Sequence, residues 1–377
     1  MKNLMIPALA LFLSAAAQAD DSPLWMRYCA ISPDGQTIAF SYQGDIYTVP
    51  SSGGKARQLT THPAHDTRPV WSPDGQRIAF ASNRSGNFDV FLMNKEGGEP
   101  KRLTTHSTNE YPTTFKDNGH ILYLANVLQD AKDIQFPGTR FMQVYEISTD
   151  GGRPDLYSSL YMENIALSKD GSKLLYNDYK GYEDPWRKHH QSSITRDIWL
   201  CTLGKDRSFQ KVTTFGGEDR NPVWAADGAS FYYLSEEKGS FNIFKKDLAG
   251  NSEKQITTHT THPVRFLTSD NSGTLCYSYD GEIYTVKEGQ KPAKVNIQIV
   301  ADKIENDVIH RLLTDGATDI AVSPNGKEVA FITRGDVYVT SIEYETTRQI
   351  TNTPQQERNI DSVSYTHLRA HETCADL

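Results

Sequence analysis

The sequence has few cysteines, and they form no recognisable pattern. Three of the four, Cys29, Cys201 and Cys276, are far apart and lie in strand-like runs, and Cys374 lies in an atypical C-terminal segment. No two of them have the C-x-x-C spacing of a zinc site or a redox motif. We therefore expect buried free thiols rather than a disulfide framework.

The common catalytic and cofactor-binding motifs are also missing. The chain contains no G-x-S-x-G nucleophile elbow, no H-E-x-x-H, no phosphate-binding loop and no dinucleotide fingerprint. His62, His65 and Asp66 lie close together, but two histidines and one aspartate in a single loop are weak grounds for a metal site. The sequence thus predicts no catalytic residue, no metal and no cofactor in this chain.

Long apolar runs and an excess of positive charge are absent beyond the first residues. Behind Lys2, an apolar run of 13 residues, Leu4–Ala16, precedes Ala17-Gln18-Ala19, which fits a small-x-small cleavage site. We expect residues 1–19 to be a signal peptide cleaved after Ala19, with export to a bacterial periplasm and no membrane span after cleavage. The formal net charge of −8 argues against a nucleic-acid partner.

What the chain does contain is a three-part repeat. Each copy has a tight turn such as Ser72-Pro73-Asp74-Gly75, then an acidic-aliphatic-aromatic element, and then an apolar-Thr-Thr segment. Proline fixes φ in such a turn, aspartate bonds back to the backbone, and glycine accepts positive φ. The turns end, at spacings of 40–57 residues, at Gly35, Gly75, Gly119, Gly171, Gly228, Gly273 and Gly326.

These repeats predict an all-β chain, a β-propeller built of four-stranded blades. The apolar strand after each turn needs cover on both faces, which neighbouring blades supply. Seven turns allow two interpretations: six blades plus the start of a second propeller, which we favour, or one seven-bladed propeller. On the first interpretation residues 20–300 form the six-bladed propeller, and the alternating run Val295–Val300 completes the ring. Residues 301–361 are then a linker and the first blade of a second, truncated propeller.

The C-terminal residues do not fit the repeat. Segment 362–377 stands where an aromatic residue and another Ser-Pro-Asp-Gly turn are expected, and it reads like one frame of a sequencing adapter. We expect it to be a non-native, adapter-like tail, and we give little weight to the spacing of His367 and His371 as a metal pair.

Two long loops form the predicted binding surface. The fourth repeat carries an aromatic and basic insertion at residues 179–196, and the third repeat has an excursion at residues 129–140. Long propeller loops rich in Trp, Tyr and Arg are typical of binding surfaces, although a solvated loop without a ligand fits the same composition. The candidate contact residues are Arg140, Tyr182, Trp186, Arg187, His189 and His190.

The repeat resembles that of TolB-type propellers in its Ser-Pro-Asp-Gly, Asp-Ile-Tyr and Leu-Thr-Thr-His-Pro elements. Three further segments make the chain similar to the N-terminal propeller region of bacterial homologues of tricorn protease. They are Ser22–Arg27, Asp178–Glu183 and Ile320–Gly326. The resemblance covers roughly residues 1–361, as a pattern rather than as one diagnostic motif.

This resemblance implies a function in peptide breakdown. In that family a six-bladed propeller precedes a seven-bladed one, a PDZ-like module and a serine-peptidase core, and the enzymes degrade oligopeptides. The chain would then be the substrate-filtering or interaction propeller of an exported serine peptidase, inactive by itself. Its partners would be peptides or proteins, and the full-length protein could form a homo-oligomer. Two alternatives stay open: a TolB-like periplasmic protein-binding propeller with no enzymatic role, and the propeller of a prolyl-oligopeptidase-type peptidase.

Overall fold

A computed structural model describes residues 23–127, 141–181, 189, 191–250, 252–300, 314–343, 347–353, 355–364 and 367–370, with residues 362–370 described by their backbone alone. The chain divides into two compact units, residues 1–301 and residues 302–377. The regular structure described in both units consists of β-strands, so the prediction of an all-β chain is confirmed. Within the same ranges no helix is long and apolar enough to cross a membrane.

The described part of the first unit contains six sheets, numbered blades 1 to 6 in chain order. Each has four antiparallel strands, and blade 1 carries a fifth, parallel strand at its outer edge. Blades 1 and 2 consist of β1 (Arg27–Ile31), β2 (Thr37–Tyr42), β3 (Asp45–Pro50), β4 (Gly54–Gln58), β5 (Asp66–Trp71), β6 (Arg77–Ser82), β7 (Asp89–Asn94) and β8 (Gly97–Arg102). Blades 3 and 4 consist of β9 (Glu110–Asp117), β10 (His120–Ala125), β11 (Gln143–Ser148), β12 (Asp155–Ser158), β13 (Met162–Leu167), β14 (Lys173–Asp178), β15 (Ile198–Thr202) and β16 (Ser208–Lys211). Blades 5 and 6 consist of β17 (Asp219–Trp224), β18 (Ser230–Ser235), β19 (Asn242–Asp247), β20 (Glu253–Gln255), β21 (Arg265–Ser269), β22 (Thr274–Tyr279), β23 (Glu282–Lys287) and β24 (Ala293–Lys294). In each blade the strands lie side by side in chain order, from an inner strand to an outer one.

The turn between the first two strands of a blade is held by the side chains that the repeat supplies. In blade 2 Ser72 Oγ donates to Asp74 Oδ1 (2.5 Å), and the Gln76 amide donates to the same oxygen (3.0 Å). Gly75 closes the turn at φ 67°, donating its amide to the Ser72 carbonyl (2.8 Å). The Ser72 hydrogen bond also lowers the pKa of Asp74 from its usual range. The same serine–aspartate bond recurs at Ser32 in blade 1.

One hydroxyl group joins the acidic-aliphatic element to the Thr-Thr element. Thr60 Oγ1 accepts a hydrogen bond from the Ile46 amide (2.9 Å) and donates to Asp45 Oδ1 (3.0 Å). In blade 5 Thr257 bonds the Ile243 amide in the same way (2.9 Å). The threonine therefore ties the segment after the outer strand to the start of the third strand, which explains why the two elements recur together.

Neighbouring blades enclose hydrophobic clusters between them. The cluster between blades 1 and 2 contains Ile46, Ile78 and Phe80, all fully buried. Trp71 reinforces this seam by donating its indole N–H to the Ala30 carbonyl (2.9 Å). Burial of one such large apolar side chain stabilises the fold by roughly 1.5–3 kcal/mol. The apolar strands after each turn are thus covered on both faces.

Blade 6 packs against blade 1, so the six blades form a closed ring. The Met26 amide donates to the Gly281 carbonyl (3.1 Å), and the shared cluster buries Cys29 against Cys276. These two cysteines and Cys201 are buried and free, as the sequence predicts. Burial, together with the neighbouring Cys29, raises the pKa of Cys276 well above its ordinary value. Cys29 and Cys276 therefore act as apolar packing groups at the closing seam, and Cys201 packs in the cluster next to blade 4.

The run Val295–Val300, predicted to complete the ring, contains a short strand that follows blade 6 and pairs with blade 1. The short strand β25 (Ile297–Ile299) pairs in parallel with the outer strand β4, with Ile297 opposite Gly54. It extends blade 1 at its outer edge, and Val295 and Ile297 belong to the hydrophobic cluster that blades 1 and 6 share, so the run contributes to closing the ring. Gly53 permits this approach, because a Cβ there would lie 2.7 Å from the Asn296 carbonyl oxygen.

The described part of the second unit contains one four-stranded sheet and one hairpin. The sheet consists of β26 (Ala317–Val322), β27 (Glu328–Thr333), β28 (Asp336–Ser341) and β29 (Thr347–Gln349), and the hairpin of β30 (Ile360–Ser364) and β31 (His367–Ala370). Ile332 and Val337 are buried, while Ile320 and Val322 on β26 are exposed. The assignment of this unit to a second propeller, and of residues 362–377 to a non-native tail, stays a prediction.

Candidate functional site

The inner strands of the six blades surround the centre of the ring. β1, β5, β9, β13, β17 and β21 each contact the next, and β21 contacts β1. In five of them a bulge contains a non-glycine residue with positive φ: Tyr28 (52°), Arg68 (56°), Asn164 (49°), Asn221 (55°) and Phe266 (55°). This conformation costs on the order of 1–2 kcal/mol for a residue with a Cβ, and a bulge re-aims the side chain it carries. Because the geometry recurs in five blades, we take this ring of side chains as the candidate functional site.

On one side of the ring, three aromatic side chains and an arginine form a continuous row. The Phe266 and Tyr28 rings lie 4.5 Å apart. The Arg68 guanidinium lies 5.2 Å from the centre of the Tyr28 ring and 4.4 Å from that of Tyr111. The row therefore crosses from blade 6 through blades 1 and 2 to blade 3. We call Phe266, Tyr28, Arg68 and Tyr111 the aromatic–arginine row.

Arg68 is half-buried between two tyrosines, and within the described part of the chain it forms no hydrogen bond or ion pair. A guanidinium has five N–H donors, and its stacking on each ring contributes roughly 0.5–1 kcal/mol. Burial raises the pKa of Tyr111, and the positive charge of Arg68 opposes that shift. The two ring contacts hold the guanidinium between the tyrosines while its donors stay available. Such a group binds carbonyl or carboxylate oxygens of a ligand.

The other side of the ring carries charged and amide groups that bind one another. Arg196 donates to Glu163 Oε2 (2.9 Å) and to Glu218 Oε1 (2.7 Å). Asn177 donates to Glu163 (3.3 Å) and accepts from Asn164 (2.7 Å). Burial acts to lower the pKa of Arg196, but the two carboxylates outweigh it and the pKa is raised. Because these groups already satisfy one another, Arg68 offers the stronger contact for a ligand.

Two buried carboxyl groups lie at the first residues of inner strands. Glu110 begins β9 in blade 3 and Asp219 begins β17 in blade 5, and each is 1% exposed. Burial raises the pKa of each group to about 7, and the nearby Asp89 adds to the shift of Glu110. Both groups therefore keep their protons well above the pH at which an exposed carboxyl loses them.

The structure describes one of the six residues predicted from the long loops. His189 is exposed, its amide donates to Glu236 Oε2 (2.7 Å), and its Nδ1 lies 3.9 Å from the same oxygen. The chain leaves blades 3 and 4 for these loops after their second strands, so both loops start at the same end of the ring. The other five candidates lie outside the described residues: Arg140, Tyr182, Trp186, Arg187 and His190. The loop site stays a prediction.

The residues near His62 have partners within their own loops and strands. His62 Nδ1 accepts a hydrogen bond from the Ala64 amide (3.0 Å), and Asp66 pairs with Arg84 (2.5 Å). Across the described ranges, no group of three His, Cys, Asp or Glu side chains is arranged to hold a metal ion.

Sequence reasoning did not find the aromatic–arginine row. Tyr28, Arg68 and Phe266 each stand four residues before the start of the repeated turn. When the repeats are aligned on their turns, these three residues fall at the same position within the repeat. Their residue types differ from blade to blade, however, so that position does not stand out as a motif.

A closed ring of four-stranded blades around a set of contacting inner strands defines the chain's first unit as a β-propeller. Residues 23–292 match the family model of the tricorn protease N-terminal β-propeller domain. The chain belongs to this family.

Known members and structures agree with this assignment. The chain is 22% identical over 323 residues to the tricorn protease homolog of Saccharolobus solfataricus. The alignment covers 83% of this chain and 28% of the relative. It is 23% identical over 290 residues to tricorn protease homolog 1 of Streptomyces coelicolor. This alignment covers 75% of this chain and 26% of the relative. The crystal structure of the tricorn protease matches with a TM-score of 0.61 at 20% identity, over 92% of this chain and 33% of that chain, and shows the fold alone. The chain spans about a quarter to a third of the length of these proteins.

Proposed function

We propose that this chain is the N-terminal propeller of an exported tricorn-type serine peptidase, and that it binds oligopeptides and filters them on their way to the catalytic core. The match of residues 23–292 to the propeller family and the similarity to tricorn protease homologs support the parent enzyme. On this proposal the catalytic residues belong to another part of the protein. The chain by itself should bind peptides without hydrolysing them.

The observation that carries the proposal is the position of Arg68 in the aromatic–arginine row. Its guanidinium is held between Tyr28 and Tyr111 on the inner strands, and no side chain or carbonyl of the described residues occupies its donors. Peptides offer carbonyl and carboxylate oxygens along their length, and aromatic rings contact side chains of many kinds. This combination suits a site that accepts peptides of varied sequence.

Peptide binding by the purified chain tests this role. Fluorescein-labelled hexapeptide pools should bind to the wild-type chain, and Arg68→Met should weaken binding roughly tenfold or more, because a hydrogen bond to a charged group contributes about 1.5–3 kcal/mol. Arg153→Met is the control, since Arg153 is exposed between β11 and β12 and has no hydrogen bond or ion pair among the described residues. Equal affinities of wild type and Arg68→Met would contradict the proposal.

Export and the parent enzyme need separate tests. N-terminal sequencing of the mature protein from a periplasmic fraction should start at Asp20, whereas a retained residue 1 would contradict export. The reading frame downstream of Asp361 in the source DNA should continue through further blades into a PDZ-like module and a serine-peptidase core. An α/β-hydrolase there would replace the tricorn-type parent with a prolyl-oligopeptidase-type one.

A further inference from the structure

A small cavity lies on blade 5, next to the segment that connects blade 4 to it. Its volume is about 260 Å³, below the roughly 300–1,000 Å³ of pockets that hold drug-sized ligands. The lining groups are mainly polar and come from the connecting segment and from β17 to β20. They are Thr214, Phe215, Gly216, Asp219, Tyr233, Glu237, Lys246 and Glu253.

Asp219 is the group in this cavity that lacks a partner. It is 1% exposed, and neither of its carboxylate oxygens has a hydrogen-bond partner among the described residues. The hydroxyls of Ser235 and Thr213 face the carboxyl group and partly oppose the pKa shift that burial causes. A buried carboxylate whose hydrogen bonding is incomplete is costly, so the site favours a ligand that brings further donors.

The remaining carboxylates give the cavity a negative balance. Glu253 accepts a hydrogen bond from the Tyr233 hydroxyl and forms an ion pair with Lys246 Nζ (3.1 Å). Glu237 is exposed, and its Oε1 lies 3.7 Å from Lys238 Nζ. Lys246 is the single cation among the lining residues, against three carboxyl groups. A cationic ligand therefore complements the cavity better than an anionic or a neutral one.

We propose that this cavity binds the primary ammonium group of a small ligand, with the ammonium N–H groups donating to Asp219. An ammonium group supplies a positive charge and three donors in a compact volume, which matches an orphaned carboxylate in a small polar cavity. The site lies apart from the aromatic–arginine row, and it does not depend on the peptide-filtering role.

Butylammonium is the first probe, because it stays protonated over the pH range of the test. Asp219 should be about one-tenth ionised at pH 6 and about nine-tenths ionised at pH 8, so calorimetry should show roughly tenfold tighter binding at pH 8. The other ionisable groups that face Asp219 are Asp197 and Glu253, with Tyr233, Glu237 and Lys246 around the cavity. Tyr233 stays neutral across this range, because burial and its hydrogen bond to Glu253 raise its pKa.

Asp219→Asn should abolish both the binding and its pH dependence. Glu110→Gln is the matched control, because Glu110 is equally buried and has a similarly raised pKa but does not line the cavity. Thermal melts check that both variants fold. Glu237→Gln is a second variant at an exposed position, and it should weaken binding roughly two- to fivefold, as loss of one nearby charge does.

Matched ligands test whether a free ammonium group is required and which kind of molecule supplies it. Glycinamide, which has a free ammonium group, should bind at pH 7, and N-acetylglycinamide should not. Tighter binding of glycinamide than of butylammonium would identify a peptide amino terminus as the ligand group. Tighter binding of butylammonium would identify an aliphatic amine. Binding of N-acetylglycinamide, or equal affinities of wild type and Asp219→Asn, would overturn the proposal.

Discussion

At the scale of single residues, the buried carboxyl groups make stability depend on pH. The folded chain raises the pKa of Glu110 from 4.5 to about 7, so the folded state holds a proton that the unfolded state releases between these values. The free energy of unfolding should therefore fall as pH rises from about 4.5 to 7, by roughly 2–4 kcal/mol for each such group, and then level off. Asp219 acts in the same direction.

Urea unfolding at pH 5 and at pH 7.5 measures this fall. Glu110→Gln should show a smaller fall than wild type, because its amide cannot ionise at either pH value. The turn carboxylates such as Asp74, whose pKa is lowered by hydrogen bonds, lose their stabilising effect as pH falls below about 4 and so do not act in this window. An identical fall in wild type and Glu110→Gln would contradict the assignment.

At the scale of elements, the threonine after each outer strand can be tested by a pair of neighbouring substitutions. Thr60→Val keeps the shape of the side chain but leaves the buried Ile46 amide without its acceptor and removes one of the two side-chain donors to Asp45. It should lower the free energy of unfolding by about 1–2 kcal/mol. Thr61→Val is the control, because Thr61 is exposed. The free energy of unfolding of this variant should stay within about 0.5 kcal/mol of wild type. Equal effects in urea melts would show that the hydroxyl of Thr60 does not join these elements.

The parallel strand at the edge of blade 1 allows a second test at this scale. Gly53→Ala places a Cβ 2.7 Å from the Asn296 carbonyl oxygen, at φ 91°, and should destabilise the chain by about 1–3 kcal/mol while loosening β25. Gly54→Ala has a positive φ of 121° but meets nothing within 4 Å, so it should cost about 1 kcal/mol. Hydrogen exchange at Ile297 and Ile299 should quicken in Gly53→Ala and not in Gly54→Ala, and the opposite result would contradict the clash.

The elements differ in how far the sequence predicts them, because some depend on local chemistry and others on contacts between blades. The turn at Ser72–Gly75 is predictable, since its hydrogen bonds join residues that are close in the chain. The position of β25 is not, because its parallel partner β4 is some 240 residues away and period-2 alternation does not reveal a partner. The aromatic–arginine row was missed for the same reason, since Phe266 meets Tyr28 only when the ring closes.

At the scale of the whole molecule, the fold follows from the repeat, while the candidate site follows from the differences between repeats. Turn and threonine chemistry recur from blade to blade and define the architecture. The bulged position holds Tyr28, Arg68 and Phe266 in some blades and asparagines in others. Because five of the six blades each contribute one such side chain to a shared centre, binding chemistry can change without altering the blades. A function predicted from the repeat alone therefore names the scaffold and not its ligand.

The separation of the hydrophobic clusters predicts that the propeller folds without the second unit. Six of the seven clusters consist of residues from the first unit, whereas the seventh consists of residues between 321 and 360. A chain of residues 20–300 should therefore keep the circular dichroism and the main melting transition of the full chain. The second unit, whose strand β26 leaves Ile320 (62%) and Val322 (56%) exposed, should melt in a separate transition at lower temperature. A single transition in calorimetry of the full chain, lost on truncation at 300, would show instead that the two units fold cooperatively.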